Sequence, residues 1–194
     1  MLPLLIAGAA GLLLVMKERP PRTRSELLDE ARTKALSMLR SAPRGSIVVF
    51  DFDETLVHPE QITDWEHTGV RSVGWASERV RVPIYAPIHP IIDVLQVAAR
   101  QGFRIVLITA RYDNAHTRAT VMANLRRRKL TVHEFHARPA GVGVGFKAEL
   151  RARLAQQRPV ALTIGDQWFD VNKPGNAHWI KLPDGRDVRL LASA

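Results

Sequence analysis

The chain has 194 residues, 46% of them hydrophobic, which is enough for one globular domain with appended segments. It contains no cysteine, so structural disulfides and thiolate metal sites are excluded. Lys and Arg number 28 against 19 Asp and Glu, and the resulting net charge of +9 suits anionic partners such as phosphate esters, anionic lipid or nucleic acid.

Residues 1–16 form an uncharged segment rich in Leu, Ala and Gly, and Lys17-Glu18-Arg19 ends it. As a helix this segment would reach ~24 Å, slightly less than a hydrocarbon core of ~30 Å. Positive charge follows the segment rather than preceding it, which favours a cytoplasmic location for the rest of the chain. We therefore expect an uncleaved, single-pass N-terminal membrane anchor with the catalytic part in the cytoplasm. A cleaved signal peptide and a buried or interfacial helix are the alternatives.

Residues 17–45 are predicted to be a basic juxtamembrane segment followed by a helix. Thr23-Arg24-Ser25-Glu26 has the pattern of a capping box, in which the Thr and Glu side chains satisfy free backbone N–H groups. Apolar residues then recur at helical spacing up to Leu39. This helix should pack on the domain or serve as a short stalk.

Strand and helix patterns alternate from residue 46 to residue 194, which we take as one domain. This alternation predicts an α/β fold with a doubly wound parallel sheet. The predicted strands are 46–50, 105–108, 132–136, 160–164 and 177–181, and the predicted helices are His89–Arg100, 114–129 and Phe146–Gln157.

Polar side chains follow three of these strands, where ligands bind in open α/β sheets. Asp51 and Asp53 come directly after the first strand; two acids so close need a cation, a proton or a reaction, although a solvated turn can also carry this pair. Four carboxylates, a hydroxyl and an ammonium are suited to Mg²⁺-assisted phosphoryl transfer. The six residues are Asp51, Asp53, Thr109, Lys147, Asp166 and Asp170.

Four motifs in this order resemble those of the haloacid dehalogenase superfamily of phosphohydrolases. They are Asp51-Phe52-Asp53-Glu54-Thr55-Leu56, Thr109, Lys147, and Gly165-Asp166 with Asp170. Gly165-Asp166-Gln167-Trp168 is further similar to the acid phosphatase branch typified by plant vegetative storage proteins. The segments 138–139, 146–151 and 181–183 also resemble that branch. One departure is Ala110-Arg111, where relatives often have Gly-Arg.

The resemblance implies a Rossmann-like core and two catalytic carboxylates. Asp51 would be the nucleophile that forms an aspartyl-phosphate, and Asp53 the general acid and base. Thr109 and Lys147 would hold the transferring phosphoryl group.

The resemblance also implies a Mg²⁺ site. Asp51, the backbone carbonyl of Asp53 and Asp166 would hold the ion. Asp170 would either ligate it or orient its waters.

The superfamily inserts its cap domain in the interval between Asp53 and Thr109. Here only about 30 residues, 58–87, are free for it, too few for a separate folded domain. We expect a minimal cap loop over an open site. This loop carries Trp65, His67, Trp75 and Tyr85. Its three aromatic side chains would either stack on a substrate ring or pack on the sheet edge.

The leading interpretation is a membrane-anchored, Mg²⁺-dependent phosphomonoesterase of acid-phosphatase type. A phosphatase acting on nucleic-acid ends or phosphoproteins is the first alternative, although nucleic acid is not the favoured partner. A catalytically weak, membrane-tethered binding module is the second, and it is disfavoured because every motif position is filled.

Overall fold

The computed structural model describes residues 22–59, 82–171 and 178–183. The predicted anchor, residues 1–16, lies outside these ranges, as do Trp65, His67 and Trp75 of the predicted cap loop. Among the helices within these ranges, none is long and apolar enough to cross a membrane.

The described elements alternate between strands and helices, as the sequence predicts. In chain order they are α1 (Arg24–Ser41), β1 (Ile47–Phe50), β2 (Val57–His58), β3 (Ala86–Pro87), α2 (His89–Arg100), β4 (Arg104–Tyr112), α3 (Ala115–Arg127), β5 (Glu134–Arg138), α4 (Phe146–Gln157), β6 (Val160–Gly165), α5 (Trp168–Val171) and β7 (Trp179–Lys181).

Five strands form one sheet in the order β5-β4-β1-β6-β7, and every neighbouring pair is parallel. β2 and β3 pair separately as an antiparallel ribbon. The Rossmann-like α/β core expected from the sequence is therefore present.

The central strand β1 is buried on both faces, because helices cover both sides of the sheet. Val48 and Phe50 point into a core shared with α1, α2 and α3. Ile47 and Val49 point into a second core against α4. The sheet is therefore doubly wound, as predicted.

Helix α1 packs on the sheet rather than standing away from it as a stalk. Thr23 caps it through a complete capping box with Glu26. Its buried face, which includes Leu28 and Ala35, belongs to the same core as β1. Arg32 also pairs with Asp93 of α2 at 2.6 Å.

Strand β4 is longer than its apolar run predicts. The prediction ended at residue 108, but β4 continues to Tyr112 because its far end pairs with Arg138 of β5. Thr109 and Arg111 consequently lie within a strand. The short elements β2, β3 and α5 were not predicted from the sequence.

Candidate active site

Three buried aspartates lie together at the carboxyl end of the sheet. Asp51 follows β1, Asp166 follows the neighbouring strand β6, and Asp170 lies in α5. One carboxylate oxygen from each lies within 4.8 Å of the others. The parallel pairing of β1 with β6 therefore assembles residues more than 100 positions apart in sequence.

Lys147 contacts two of these carboxylates from the first turn of α4. Its Nζ donates to Asp51 Oδ1 and to Asp170 Oδ1, each at 2.5 Å. Burial alone would lower the pKa of Lys147, but the charges of Asp51 and Asp170 outweigh it and raise that pKa. The lysine is thus held in its ammonium form.

The positive charge of Lys147 does not balance the negative charge of three buried carboxylates. Burial, opposed by Lys147 and reinforced by the neighbouring acids, raises the pKa of Asp51 well above its usual range. Burial likewise raises the pKa of Asp166 to about 7. A hydrogen bond from Gln167 lowers this pKa, whereas the negative charge of Asp170 raises it further. Excess negative charge on hard oxygen donors fits a divalent cation such as Mg²⁺.

The turn between β6 and α5 depends on Gly165 and Gln167. A Cβ at Gly165 would lie 2.3 Å from Asp170 Cβ, so only glycine allows Asp170 to approach this closely. The Gln167 backbone N–H donates to Asp170 Oδ2 at 2.9 Å, and its side chain donates to Asp166 Oδ2 at 2.8 Å. Gln167 therefore orients both acids of the fourth motif.

Asp53 faces a different partner from Asp51. Its carboxylate accepts from Arg111 Nη2 at 2.6 Å and from Arg111 Nε at 2.9 Å. The Asp53 side chain is not part of the carboxylate cluster. Metal binding through its backbone carbonyl stays a prediction.

Arg111 is completely buried, and two aromatic rings lie close to its guanidinium. The centre of that group lies 5.5 Å from the Phe52 ring and 5.1 Å from the Tyr85 ring. Its Nη1 also donates to the Tyr85 hydroxyl at 3.3 Å. Tyr85, the described member of the predicted cap-loop aromatics, therefore packs on the core beside Asp53.

Thr109 lies beside the same pair. Its buried hydroxyl is 3.5 Å from Asp53 Oδ2 and accepts from the Arg111 backbone N–H at 3.2 Å. The six predicted residues thus form two adjoining groups, one around Lys147 and one around Arg111. Their chemical roles stay predictions.

Sequence reasoning assigned Arg111 and Gln167 no role in the site, although both lie in the motifs described above, and it placed Tyr85 in the cap loop without linking it to Asp53. The position of Arg111 two residues after Thr109 was the available signal. Its ion pair with Asp53, 58 residues away, depends on strand pairing and could not be read locally.

Glu54 links the first motif to α1. It adopts a left-handed backbone with φ of 52°, unusual for a residue other than glycine. Its carboxylate pairs with Arg24 at 2.8 Å and with His58 at 2.7 Å. The N-terminal end of α1 therefore lies at the carboxyl edge of the sheet, close to the first motif.

The fold and the clustered aspartates indicate the class of phosphoryl-transfer hydrolases that use an α/β core. The family model described as "HAD superfamily, subfamily IIIB (Acid phosphatase)" matches residues 23–186. The chain belongs to this family and is a phosphoric monoester hydrolase, which confirms the resemblance seen in its motifs.

A solved structure is similar in fold. It is the class C acid phosphatase from Bacillus anthracis, with a TM-score of 0.56 and 17% sequence identity. The alignment covers 88% of this chain and 71% of that chain. Comparison with curated proteins gave no match.

Proposed function

We propose that the enzyme hydrolyses phosphate monoesters in a Mg²⁺-dependent reaction through an aspartyl-phosphate on Asp51. The observation that carries this proposal is the contact of Asp51 with Lys147 beside Asp166 and Asp170. A carboxylate held there by an ammonium has a fixed orientation, as a nucleophile requires.

Asp51, Asp166 and Asp170 would hold the ion. When bound, Mg²⁺ neutralises the carboxylates and polarises the phosphoryl group of the substrate. Lys147 remains paired with Asp51 and Asp170 and contributes a further positive charge at the transferring group.

The reaction has two halves. In the first, an Asp51 oxygen bonds to phosphorus while the bond to the leaving oxygen breaks, and Asp53, which begins this half as the neutral acid, gives that oxygen its proton and becomes the carboxylate that pairs with Arg111. In the second, Asp53 takes a proton from water, which bonds to phosphorus and releases phosphate and free Asp51. Thr109 and Lys147 hold the phosphoryl oxygens, and Arg111 keeps Asp53 oriented.

Asp51→Asn tests the nucleophile. An amide does not attack phosphorus, so hydrolysis of p-nitrophenyl phosphate with Mg²⁺ should fall by at least about 10³-fold while the circular dichroism stays unchanged. Asp113→Asn is the matched control, since Asp113 forms an exposed pair with Arg118 and should leave the rate within about twofold. Retention of more than a few per cent of the wild-type rate by Asp51→Asn would remove Asp51 from this role.

We further propose that residues 1–16 form an N-terminal membrane anchor and that the catalytic domain lies in the cytoplasm. The support comes from the sequence, an uncharged segment followed by four cations within residues 17–24. Cations at that position suit the headgroups of an anionic inner leaflet.

A further inference from the structure

Two tryptophans are exposed side by side near the fourth motif. Trp168 is 57% exposed and Trp179 is 47% exposed, and their rings meet edge to face with centroids 5.6 Å apart. The Nζ of Lys181 lies 5.9 Å from the Trp168 ring. Indole rings beside a cation are typical of surfaces that meet lipid headgroups, where one end of the ring is apolar and the other hydrated.

A groove of about 510 Å³ adjoins this pair, between α1 and β7. Arg22, Lys34 and Lys181 contribute three cations to its lining. Glu30 is the single acid in that lining among the described residues, and it already pairs with Arg22. Its apolar lining consists of Leu27, Ala31, Trp179, Ile180, Leu182 and Pro183.

Both walls of the groove reach the catalytic edge of the sheet. The N-terminal end of α1 is tied there by the Arg24–Glu54 pair. In β7, Lys181 pairs in register with Gly165, the residue before Asp166. The groove and the tryptophan pair therefore lie on the same edge as the aspartate cluster.

The position of the uncharged N-terminal segment limits how this edge can be oriented. Five residues separate Met16 from Arg22, and the six Cα–Cα steps between them span at most about 20 Å. If residues 1–16 are in a bilayer, the beginning of α1 lies close to its surface.

We propose that this surface docks on an anionic phospholipid bilayer. We call it the α1–β7 face and define it by Arg22, Lys34, Trp168, Trp179 and Lys181. The orientation argument rests on the proposed anchor, whereas the exposed indoles and the excess of cations are independent of it. Docking directs the catalytic edge along the membrane surface.

Tryptophan quenching in the full-length chain tests the proposal. Trp65→Phe/Trp75→Phe provides a background in which Trp168 and Trp179 are the remaining indoles. This protein is reconstituted in phosphatidylcholine vesicles with or without phosphatidylserine, each carrying brominated acyl chains that quench nearby indoles. We expect strong quenching with phosphatidylserine and little without it, and added salt should weaken the effect.

Charge reversal identifies the cations responsible. Lys34→Glu/Lys181→Glu in the same background should lower the docked population at least about fivefold, since each cation near an anionic surface contributes a factor of that order. Arg126→Glu/Arg127→Glu makes the same change in net charge at the C-terminal end of α3 and should leave the quenching intact.

Three readouts separate the possible failures. Pelleting with vesicles reports the anchor, p-nitrophenyl phosphate hydrolysis reports the active site, and quenching reports the α1–β7 face. Protein that pellets and is active but shows equal, weak quenching in both lipids would overturn the docking proposal. A second outcome would also overturn the docking proposal. If tryptophan emission shifts with protein concentration in the absence of lipid, the α1–β7 face is an interface between two copies of the chain.

Discussion

Arg111 is the residue on which the geometry of Asp53 depends. A fully buried guanidinium is costly unless its charge and its donors are satisfied. Here Asp53 supplies the opposite charge, and the neighbouring Phe52 and Tyr85 rings, whose centroids are 6.5 Å apart, both lie beside the guanidinium. The pair therefore fixes the side chain proposed to move protons.

Arg111→Lys should impair the proton-transfer role of Asp53 more than phosphorus attack. A lysine keeps the charge but loses the two-pronged contact, so Asp53 is less well oriented. We expect kcat/KM to fall about tenfold or more for an alkyl phosphate and less for p-nitrophenyl phosphate, whose phenolate leaves without a proton. Asp53→Asn should show the same difference between the two substrates, with a larger loss of kcat/KM on the alkyl phosphate.

Arg118→Lys is the matched control, because Arg118 forms an exposed pair with Asp113. It should change neither substrate's kcat/KM appreciably. Equal losses on the alkyl and aryl substrates in Arg111→Lys would contradict a role exerted through Asp53.

The raised pKa values of Asp51 and Asp166 predict how stability depends on pH without metal. Each group holds its proton more tightly in the folded than in the unfolded state. Its stabilising contribution to the free energy of unfolding is therefore fully present below about pH 4 and is lost as pH rises towards 7. The chelated enzyme should lose stability on the order of a few kcal/mol across this window. Mg²⁺ should restore it by binding the deprotonated cluster.

Thermal unfolding with a chelator, at intervals from pH 4 to pH 7, measures this slope. Asp166→Asn should flatten it by removing one of the groups. Glu134→Gln is the contrasting variant. A hydrogen bond from Arg104 lowers the pKa of Glu134, so the stability that Glu134 contributes is lost only as pH falls below about 4. This variant should therefore leave the slope between pH 4 and pH 7 unchanged. A chelated protein equally stable at both ends of the window would contradict the prediction.

Among the elements, the turn from β6 into α5 holds both acids of the fourth motif in place. Gly165 ends the strand, and the next five residues supply both acids and the amide that holds them. The close approach of Asp170 to Gly165 leaves no room for a side chain. The turn thus positions Asp170 against Lys147.

Gly165→Ala should therefore disrupt the cluster. The added methyl forces Asp170 to move, which should destabilise the fold by about 1–3 kcal/mol and lower kcat/KM at least about tenfold. Gly143→Ala is the control, because a Cβ at Gly143 meets no atom within 4 Å. Chemical denaturation and steady-state kinetics measure both effects, and wild-type values for Gly165→Ala would show that the turn adapts freely.

Local sequence signals predicted some elements fully and others in part. The bounds of α2 and α4 agree with the prediction. Pro90 indicates the start of α2 and Gly102 its end, and apolar residues at helical spacing indicate α4. Strand β4 was predicted too short, since its last residues are polar and are held by pairing with β5. The β2–β3 ribbon joins positions nearly 30 residues apart, which no local pattern reveals.

The same distinction applies to the site. Asp51 and Asp166 were predictable because each follows an apolar run, and ends of neighbouring parallel strands meet. The orientation of Asp53 towards Arg111, and of Gln167 towards two acids, depends on side-chain packing between separate segments. Sequence therefore predicted which residues gather, but not how they divide into two groups.

At the scale of the whole molecule, the site lies where the direction of winding changes. The chain leaves β1 for β4 on one side and reaches β6 on the other, so the loops after β1 and β6 diverge above the sheet. Such a switch point leaves a crevice at the carboxyl ends of the strands. The aspartate cluster occupies this crevice, with α1 and α4 on opposite faces of the sheet.

The strand order also affects how the protein must be made. The central strand β1 obtains its second neighbour, β6, about 110 residues later, which at roughly 5–20 residues per second takes on the order of ten seconds of synthesis. During that interval one edge of Ile47–Phe50 can pair with other chains. Productive folding therefore depends on protecting this nascent edge, and chains ending before β6 should be prone to aggregation.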